Sequence, residues 1–205
     1  MKEKSTYPGI AFPPGCVMAQ LQSKEGHKLG VCSTHITCKG YKYPALQILQ
    51  MYCVEKHFEI FGKGIPAIFS ADFNSHPDGV SYSYIENGAL SEEALQNLLS
   101  ADFDGQERVQ HQRLGDVVYP LSLPRKYLSV YKSVMGREPE FTSCCETNNQ
   151  EIERSCLDYI LYTPESLSPS AVLDIPGPQN INTFPNDVFP SDHLPLYATF
   201  KFKDL

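Results

Sequence analysis

One stretch of eleven residues decides the fold: IPAIFSADFNS, residues 65–75. Its first half is an apolar run that predicts a short buried strand, Ile65 to Phe69. An Asp-x-Asn turn, Asp72 to Asn74, follows directly. Short polar side chains at the end of a buried strand are held by a rigid sheet, which can direct them at one point. The stretch therefore predicts both a sheet and the position of a functional site.

A second polar group stands in a similar relation to a strand near the end of the chain. Residues 191–194, Ser-Asp-His-Leu, precede the alternating run Leu196 to Phe202, which predicts a closing strand. His35 follows the second strand of a predicted hairpin, Val17 to Gln22 and Leu29 to Thr34. A carboxylate, an amide and an imidazole gathered at strand ends are the groups needed for attack of water on a phosphate ester.

Asp158 lies inside the apolar run Leu157 to Leu161 and predicts a buried pairing. A buried carboxylate is costly unless a partner satisfies it. A histidine would satisfy the carboxylate and would have its ring oriented by it, and His193 is the natural candidate. The alternative is a structural ion pair with an Arg or Lys.

The other motifs also have ordinary interpretations. Asp72 and Asn74 are common turn formers at strand ends, and Asp192 with His193 is compatible with a strand-entry turn. His35 alone is compatible with a surface histidine. The order of all the motifs along the chain, each at or near a strand, favours a functional site over separate turns.

Composition limits the class of protein. The chain has 205 residues, 41% of them hydrophobic, a net charge of −7 and a pI near 5.3. A single domain over residues 1–205 is expected, without a basic groove for duplex DNA. An acidic protein can still act on nucleic acid if a divalent cation supplies positive charge locally. The sequence contains no apolar window long enough for a membrane span and no apolar core of a secretory signal at its start.

The seven cysteines are scattered, odd in number and mostly in apolar settings. This pattern predicts reduced thiols rather than disulfides. It indicates an intracellular protein, in the cytoplasm or alternatively in the nucleus or a mitochondrion. The absence of a Cys-x-x-Cys pair argues against a zinc site.

The pattern along the chain predicts an α+β fold. Helical spacing predicts one long helix, Tyr43 to Phe61, whose buried face contains Leu46, Leu49, Cys53, Ile60 and Phe61. Two shorter helices are predicted, over 80–86 and after Ser91. Cys156 to Tyr162 predicts a strand. Three polar segments predict loops: 103–125, 143–154 and 176–190.

Taken together, the motifs resemble those of the endonuclease/exonuclease/phosphatase superfamily. The resemblance rests on four motifs in order: Thr34-His35, Ala71-Asp72-Phe73-Asn74-Ser75, Leu157-Asp158-Tyr159-Ile160 and Ser191-Asp192-His193-Leu194. A weaker resemblance to the branch of poly(A) deadenylases, nocturnin, angel proteins and 2′-phosphodiesterase rests on residues 74–77, 84–88 and 190–194. The resemblance covers most of residues 10–204. It implies a deoxyribonuclease-I-like four-layer α/β/β/α sandwich.

The resemblance also implies a role for each residue of the site. His193 would contact the scissile phosphate, with its ring oriented by Asp158. Asp72 would position or deprotonate the attacking water. Asn74 would hold a phosphate oxygen, and His35 would add a further phosphate contact. These roles suit phosphoryl transfer, which depends mainly on positioning and charge neutralisation.

A metal ion is implied as well, with Asp192 helping to bind it. Mg²⁺ or Mn²⁺ is expected, because hard oxygen ligands suit these ions better than zinc. The superfamily pattern also has an earlier Gln-Glu motif whose glutamate is the principal metal ligand. Before His35 the acidic residues are Glu3 and Glu25, neither in a matching setting. We therefore expect a domain incomplete at its N-terminus, with weakened metal binding.

The expected function is a Mg²⁺-dependent phosphodiesterase or exoribonuclease. Its substrate would be an RNA 3′ end, such as poly(A), or a nucleotide, and no membrane partner is expected. Two alternatives stay open on the sequence. One is a non-catalytic module that binds phosphate or nucleic acid on the same fold, and the other is a lipid or inositol phosphatase.

Overall fold

The computed structural model describes residues 15–38, 44–100, 122–147, 149, 151–175, 177, 184–187 and 189–203. In chain order its elements are β1 (Cys16–Gln22), β2 (Lys28–His35), α1 (Pro44–Phe61), β3 (Ala67–Asp72), α2 (Val80–Asn87), α3 (Glu92–Ser100), β4 (Leu128–Ser129), α4 (Val130–Met135), β5 (Ser143–Glu146), β6 (Ile152–Ser155), β7 (Asp158–Tyr162), β8 (Leu167–Val172) and β9 (Ala198–Phe202). Mixed strand pairing together with several helices confirms the predicted α+β class.

Five strands form one sheet, in the order β1-β2-β3-β7-β4. β1 and β2 are the predicted antiparallel hairpin, closed by a turn in which Gly26 has a φ of 93°. β2 and β3 are parallel, so the connection through α1 crosses between them. The register places His35 beside Asp72, and Asp72 beside Asp158 of the antiparallel β7. Polar residues from three adjacent strands thereby meet at one end of the sheet.

The two faces of this sheet are covered by different layers. Phe69 of β3 packs with α1 and α2 in the larger apolar core. Its neighbour Ile68 faces the other way, as does Ile160 of β7, and both pack toward the antiparallel pair β8–β9. Asp72 and Asp158 lie an even number of residues from Ile68 and Ile160. They are therefore on the β8–β9 side of the sheet, away from α1 and α2.

Helix α1 was predicted correctly in position, and Leu49 of its predicted buried face is buried, but the assignment of Ile60 and Phe61 to that face was wrong. Ile60, assigned to that face, is 72% exposed. The buried face instead contains Met51 and Phe58 together with the polar residues Gln47 and Glu55. An analysis of hydrophobic spacing treats buried polar residues as exposed, so their presence shifted the apparent apolar face toward Ile60.

The segment 143–154, predicted to be an exposed loop, forms the antiparallel hairpin β5–β6 instead. Cys144 pairs with Arg154 in this hairpin, and Cys145 pairs with Glu153. Each strand has only four residues, and much of the exposed surface is polar. Such short strands lack the alternation of apolar and polar residues that identifies a strand in sequence.

Two further elements have no strong apolar pattern. Helix α4 is capped at its N-terminus by Ser129, whose hydroxyl accepts a hydrogen bond from the Lys132 N–H, and at its C-terminus by Gly136, whose φ is 76°. Strand β8 contains Pro169, and its pairing with β9 is irregular between Pro169 and Ala171. Both elements are recognised only from the structure, in which they form one layer with β9.

Several other predictions concern the whole chain. None of the seven cysteines, all within the described residues, forms a disulfide, as predicted. No helix in the described ranges is long and apolar enough to cross a membrane. Tyr43 and most of the predicted loop at 103–125 lie outside the described residues. The described part of 176–190 forms no helix or strand beyond a single bridge at Phe184.

Candidate functional site

His193 lies between two carboxylates at the polar end of the large sheet. Its Nδ1 is 2.8 Å from Asp158 Oδ2, and its Nε2 is 4.0 Å from Asp72 Oδ2. A bridge to Ser143 of β5 fixes the backbone of His193 at this position. The ring therefore donates from Nδ1 to Asp158, and its Nε2 faces Asp72. The contact between Asp158 and His193 expected from the sequence is present.

The Asp72 turn is built from strand β3, which extends to Asp72, beyond the predicted end at Phe69. The Asn74 N–H donates to Asp72 Oδ1 at 2.8 Å. Asn74 has a φ of 48°, a left-handed conformation that Asn adopts more easily than most residues. Its Nδ2 donates to the Ile36 carbonyl at 2.8 Å. The side-chain amide is thus fixed beside the Asp72 carboxylate.

His35 forms the outer wall of the site, with its side chain 71% exposed. Its Nε2 is 3.0 Å from Asn74 Nδ2 and 3.4 Å from Asp72 Oδ2. Because the Asn74 amide nitrogen donates, Nε2 accepts this hydrogen bond in the neutral ring. A bound anion would meet His35 at the solvent side and His193 deeper in the site.

Thr142 is a residue of the site that the sequence analysis missed. Its hydroxyl donates to Asp158 Oδ2 at 2.6 Å and accepts from the Leu157 and Asp158 N–H groups at 2.9 and 3.0 Å. Its carbonyl accepts from the Leu194 N–H at 2.7 Å. Thr142 therefore connects the two segments that provide Asp158 and His193. A single threonine between β5 and a loop has no sequence signal that distinguishes it from an ordinary residue.

Thr142→Val is expected to lower the free energy of unfolding by about 2–3 kcal/mol, because two N–H groups lose their acceptor inside the protein. Urea unfolding followed by circular dichroism measures the loss. Thr142→Ser keeps the hydroxyl and serves as the control, with a loss of about 1 kcal/mol or less. Equal stability of the Val and Ser variants would contradict the connecting role of the hydroxyl.

Negative charge is concentrated around His193. Burial raises the pKa of Asp72, the hydrogen bond from the Asn74 N–H lowers it, and the charge of Asp158 raises it again, with a net rise. Burial lowers the pKa of His193, but the hydrogen bond and charge of Asp158 oppose it. The charges of Asp72 and Asp192 add to that effect, so the His193 pKa lies above its ordinary value. The site therefore favours a positive charge between the carboxylates.

Asp72, Asp158 and His193 form the one group within the described ranges that could hold a metal ion, with one ligand atom of each within 4.8 Å of the others. Carboxylate and imidazole ligands suit a divalent cation, which would also offset the charge of Asp158 that, after burial, contributes to the raised pKa of Asp72. The residues present therefore fit such an ion. Asp192 is exposed and lies outside this group, so its role as a metal ligand stays a prediction.

Two of the curated proteins that are similar to this chain in sequence illustrate the relationship. It is 34% identical over 146 residues to the CCR4-Not complex 3′-5′-exoribonuclease subunit Ccr4 of Aspergillus terreus, which covers 69% of this chain and 19% of that protein. It is 26% identical over 194 residues to 2′,5′-phosphodiesterase 12 of Mus musculus, which covers 90% of this chain and 28% of that protein. The chain thus spans about a fifth to a quarter of the length of these relatives. No family model matches it.

Solved structures show which fold the chain has. ANGEL2, described as a 2′,3′-cyclic phosphatase, aligns with a TM-score of 0.70 at 22% identity over 91% of this chain and 60% of that one. An endonuclease/exonuclease/phosphatase family protein from Bacteroides thetaiotaomicron aligns with a TM-score of 0.54 at 16% identity, over 93% and 56%. The predicted deoxyribonuclease-I-like fold is confirmed by these alignments.

Proposed function

This chain belongs to the endonuclease/exonuclease/phosphatase superfamily, and from that premise we propose that it hydrolyses phosphodiester bonds with the help of a divalent metal ion. RNA 3′ ends, such as poly(A), are the first substrate class, and nucleotide phosphodiesters are the second. The similarity to Ccr4, a 3′-5′-exoribonuclease subunit, supports the first class, and the similarity to 2′,5′-phosphodiesterase 12 supports the second.

One observation supports the proposal above all others: His193 is bound through Nδ1 to Asp158 at 2.8 Å while its Nε2 faces Asp72. A carboxylate that orients an imidazole in this way fixes both its tautomer and its direction. A phosphate placed beside Nε2 would receive a hydrogen bond from the protonated ring. The raised pKa of His193 keeps that proton on the ring at higher pH than in an isolated histidine.

The other side chains would complete the chemistry. Asp72 would position the attacking water and accept its proton, a task that its raised pKa assists. With substrate bound, Asn74 would donate to a phosphate oxygen the Nδ2 hydrogen that His35 Nε2 accepts here, and the released His35 ring would contact the phosphate from the solvent side. Asp72 and Asp158, with the predicted Asp192, would hold a metal ion, specifically Mg²⁺ or Mn²⁺. Such an ion would neutralise charge on the phosphate.

Metal dependence tests the proposal directly. The purified chain is expected to shorten an oligoadenylate in the presence of Mg²⁺ or Mn²⁺, with the rate falling about 100-fold or more in a chelator and returning when the cation is restored. Separation of the products by anion-exchange chromatography follows the reaction. An oligoadenylate with a blocked 3′ end is the control and should stay intact. Hydrolysis that is unchanged by chelation would contradict the proposed chemistry.

A second candidate is a module that binds phosphate or RNA without hydrolysing it. The metal-binding group in the described residues has only two carboxylates, and Asp158 Oδ2 already contacts Thr142 and His193. This arrangement favours weak metal binding. Oligoadenylate binding measured by fluorescence anisotropy, without any product at saturating Mn²⁺, would support the module and contradict the enzyme.

A further inference from the structure

Gln47 is a buried residue of α1 whose amide contacts the loops on both sides of the site. Gln47 is 2% exposed. Its Nε2 donates to the Thr37 and Asn74 carbonyls, each at 2.9 Å. The Phe73 carbonyl is a third, longer contact at 3.3 Å. Its Oε1 accepts from the Ser81 hydroxyl of α2 at 2.7 Å. The amide therefore links the end of β2, the turn after β3 and helix α2.

The chemistry of the amide matches this position closely. A carboxamide has two N–H donors and one strong acceptor oxygen, and each is used here. A leucine at the position would leave the Thr37 and Asn74 carbonyls without this donor. A glutamate would face those same carbonyls with an acceptor. The hydrogen-bonding groups around position 47 therefore match a glutamine amide better than an apolar or an acidic side chain.

The contact falls on the one backbone position of the site with an unusual conformation. Asn74 is the only residue other than glycine in the described ranges with a positive φ, at 48°. Even for Asn this conformation is less populated than the right-handed ones, so contacts on either side of it help to hold it. Gln47 contacts the Phe73 carbonyl before the Asn74 α-carbon and the Asn74 carbonyl after it. The two contacts together restrict rotation on both sides of that α-carbon.

The direction of the Asn74 side chain follows from its backbone. Nδ2 donates to the Ile36 carbonyl and contacts His35 Nε2. We propose that Gln47 is a positioning residue that holds the turn containing Asp72 and Asn74, and so fixes the Asn74 amide for contact with a substrate phosphate. This role rests on the proposed hydrolytic function. Gln47 itself does not touch the substrate and acts only through the turn.

Kinetics of the full chain test the role, with Met51→Ala as the matched control. Met51 lies on the same helix and is fully buried in the apolar core, so its truncation destabilises the protein without removing a hydrogen bond. Gln47→Leu is expected to lower kcat for oligoadenylate hydrolysis about 30-fold with KM changed about threefold or less, because the phosphate contact is misplaced. Met51→Ala should change kcat by about threefold or less.

A double-mutant cycle separates positioning from general destabilisation. In an Asn74→Ala background, Gln47→Leu should lower kcat by about twofold or less, because the group it positions is already gone. Ser81→Ala, which removes only the hydroxyl bound to Gln47 Oε1, is a milder variant should Gln47→Leu not fold. It should lower kcat about three- to tenfold. Additive losses in the cycle, or unchanged kcat in Ser81→Ala, would overturn the proposal.

A readout without catalysis distinguishes this proposal from the proposed function. In ¹⁵N NMR spectra, Gln47→Leu should shift the Asn74 side-chain amide signals, which Asn74→Ala assigns, while Met51→Ala should leave them in place. If Gln47→Leu shifts these signals but the wild-type chain hydrolyses nothing, the proposed hydrolytic function is refuted and the positioning of Asn74 by Gln47 is retained. A wild-type chain that hydrolyses RNA while Gln47→Leu keeps both kcat and the Asn74 signals refutes the positioning role alone.

Discussion

His193→Ala is expected to lower kcat for phosphodiester hydrolysis by about 10³-fold or more, with a loss of stability of about 1 kcal/mol. The imidazole is the one described group that faces both site carboxylates, at 2.8 Å from Asp158 and 4.0 Å from Asp72. Its removal deletes the donor to the phosphate and leaves Asp158 without the ring that it orients. KM should change much less than kcat, because the ring contributes mainly to the charge that develops during the reaction.

Steady-state kinetics with an oligoadenylate, together with urea unfolding, measure both effects. His57→Ala is the matched control: His57 is exposed on α1, and its Nδ1 contacts the Cys53 carbonyl of the same helix. This control should keep kcat within about twofold of the wild type. Equal rates for wild type and His193→Ala would refute the catalytic interpretation and favour the binding module.

Asp158→Asn is expected to lower kcat about 10²–10⁴-fold while costing only about 1 kcal/mol of stability. The Thr142 hydroxyl and His193 Nδ1 both contact Oδ2, so an amide oxygen in that place can still accept from both of them. The amide carries no charge, however, and no longer favours the protonated ring of His193. The activity loss would then come from the missing charge that supports the imidazolium. Large destabilisation with intact turnover would refute the role of Asp158 in orienting His193.

The pH dependence of Asp158→Asn provides an independent check. The folded-state pKa of His193 is raised, so its protonation stabilises the fold fully below the unfolded pKa of about 6.5 and the contribution is lost as pH rises through the folded pKa. Asp158→Asn removes the main cause of the rise. Its stability loss should therefore be larger near pH 5.5 than near pH 8.5, as about one pKa unit corresponds to 1.4 kcal/mol. Asp174→Asn, on an exposed residue, should show no such difference.

The sequence predicted those parts of the site that follow strands. Asp72 and Asn74 come directly after an apolar run, and Asp158 interrupts another, so each has a local signal. The structure brings these residues together with His35, because parallel pairing of β2 with β3 aligns their ends and β7 pairs with β3 at Asp72. His193 joins them through its bridge to Ser143. This common location follows from the order and direction of the strands in the sheet. The order of the strands along the chain already limits which arrangements are possible.

The residues that hold the site in place could not be predicted in the same way. Thr142 and Gln47 are buried polar side chains whose partners lie far away in sequence, and hydrophobic spacing assigns such residues to the surface. Gln47 also contributed to the wrong assignment of Ile60 to the buried face of α1. Hairpin β5–β6 was missed for a related reason, since its short polar strands are fixed by pairing and by the loop that contains His193. Tertiary contacts decide these features.

The groups of the site are widely separated along the polypeptide, at positions 35, 72, 158 and 193, although they lie side by side in space. Each closure of such a long loop costs chain entropy before its contacts are gained, so folding must join both halves of the chain before the site exists. The hairpin of β1 and β2 needs no such closure and can form early. The arrangement of the site therefore exists only once the long-range strand pairings have formed, and native secondary structure alone would not assemble it.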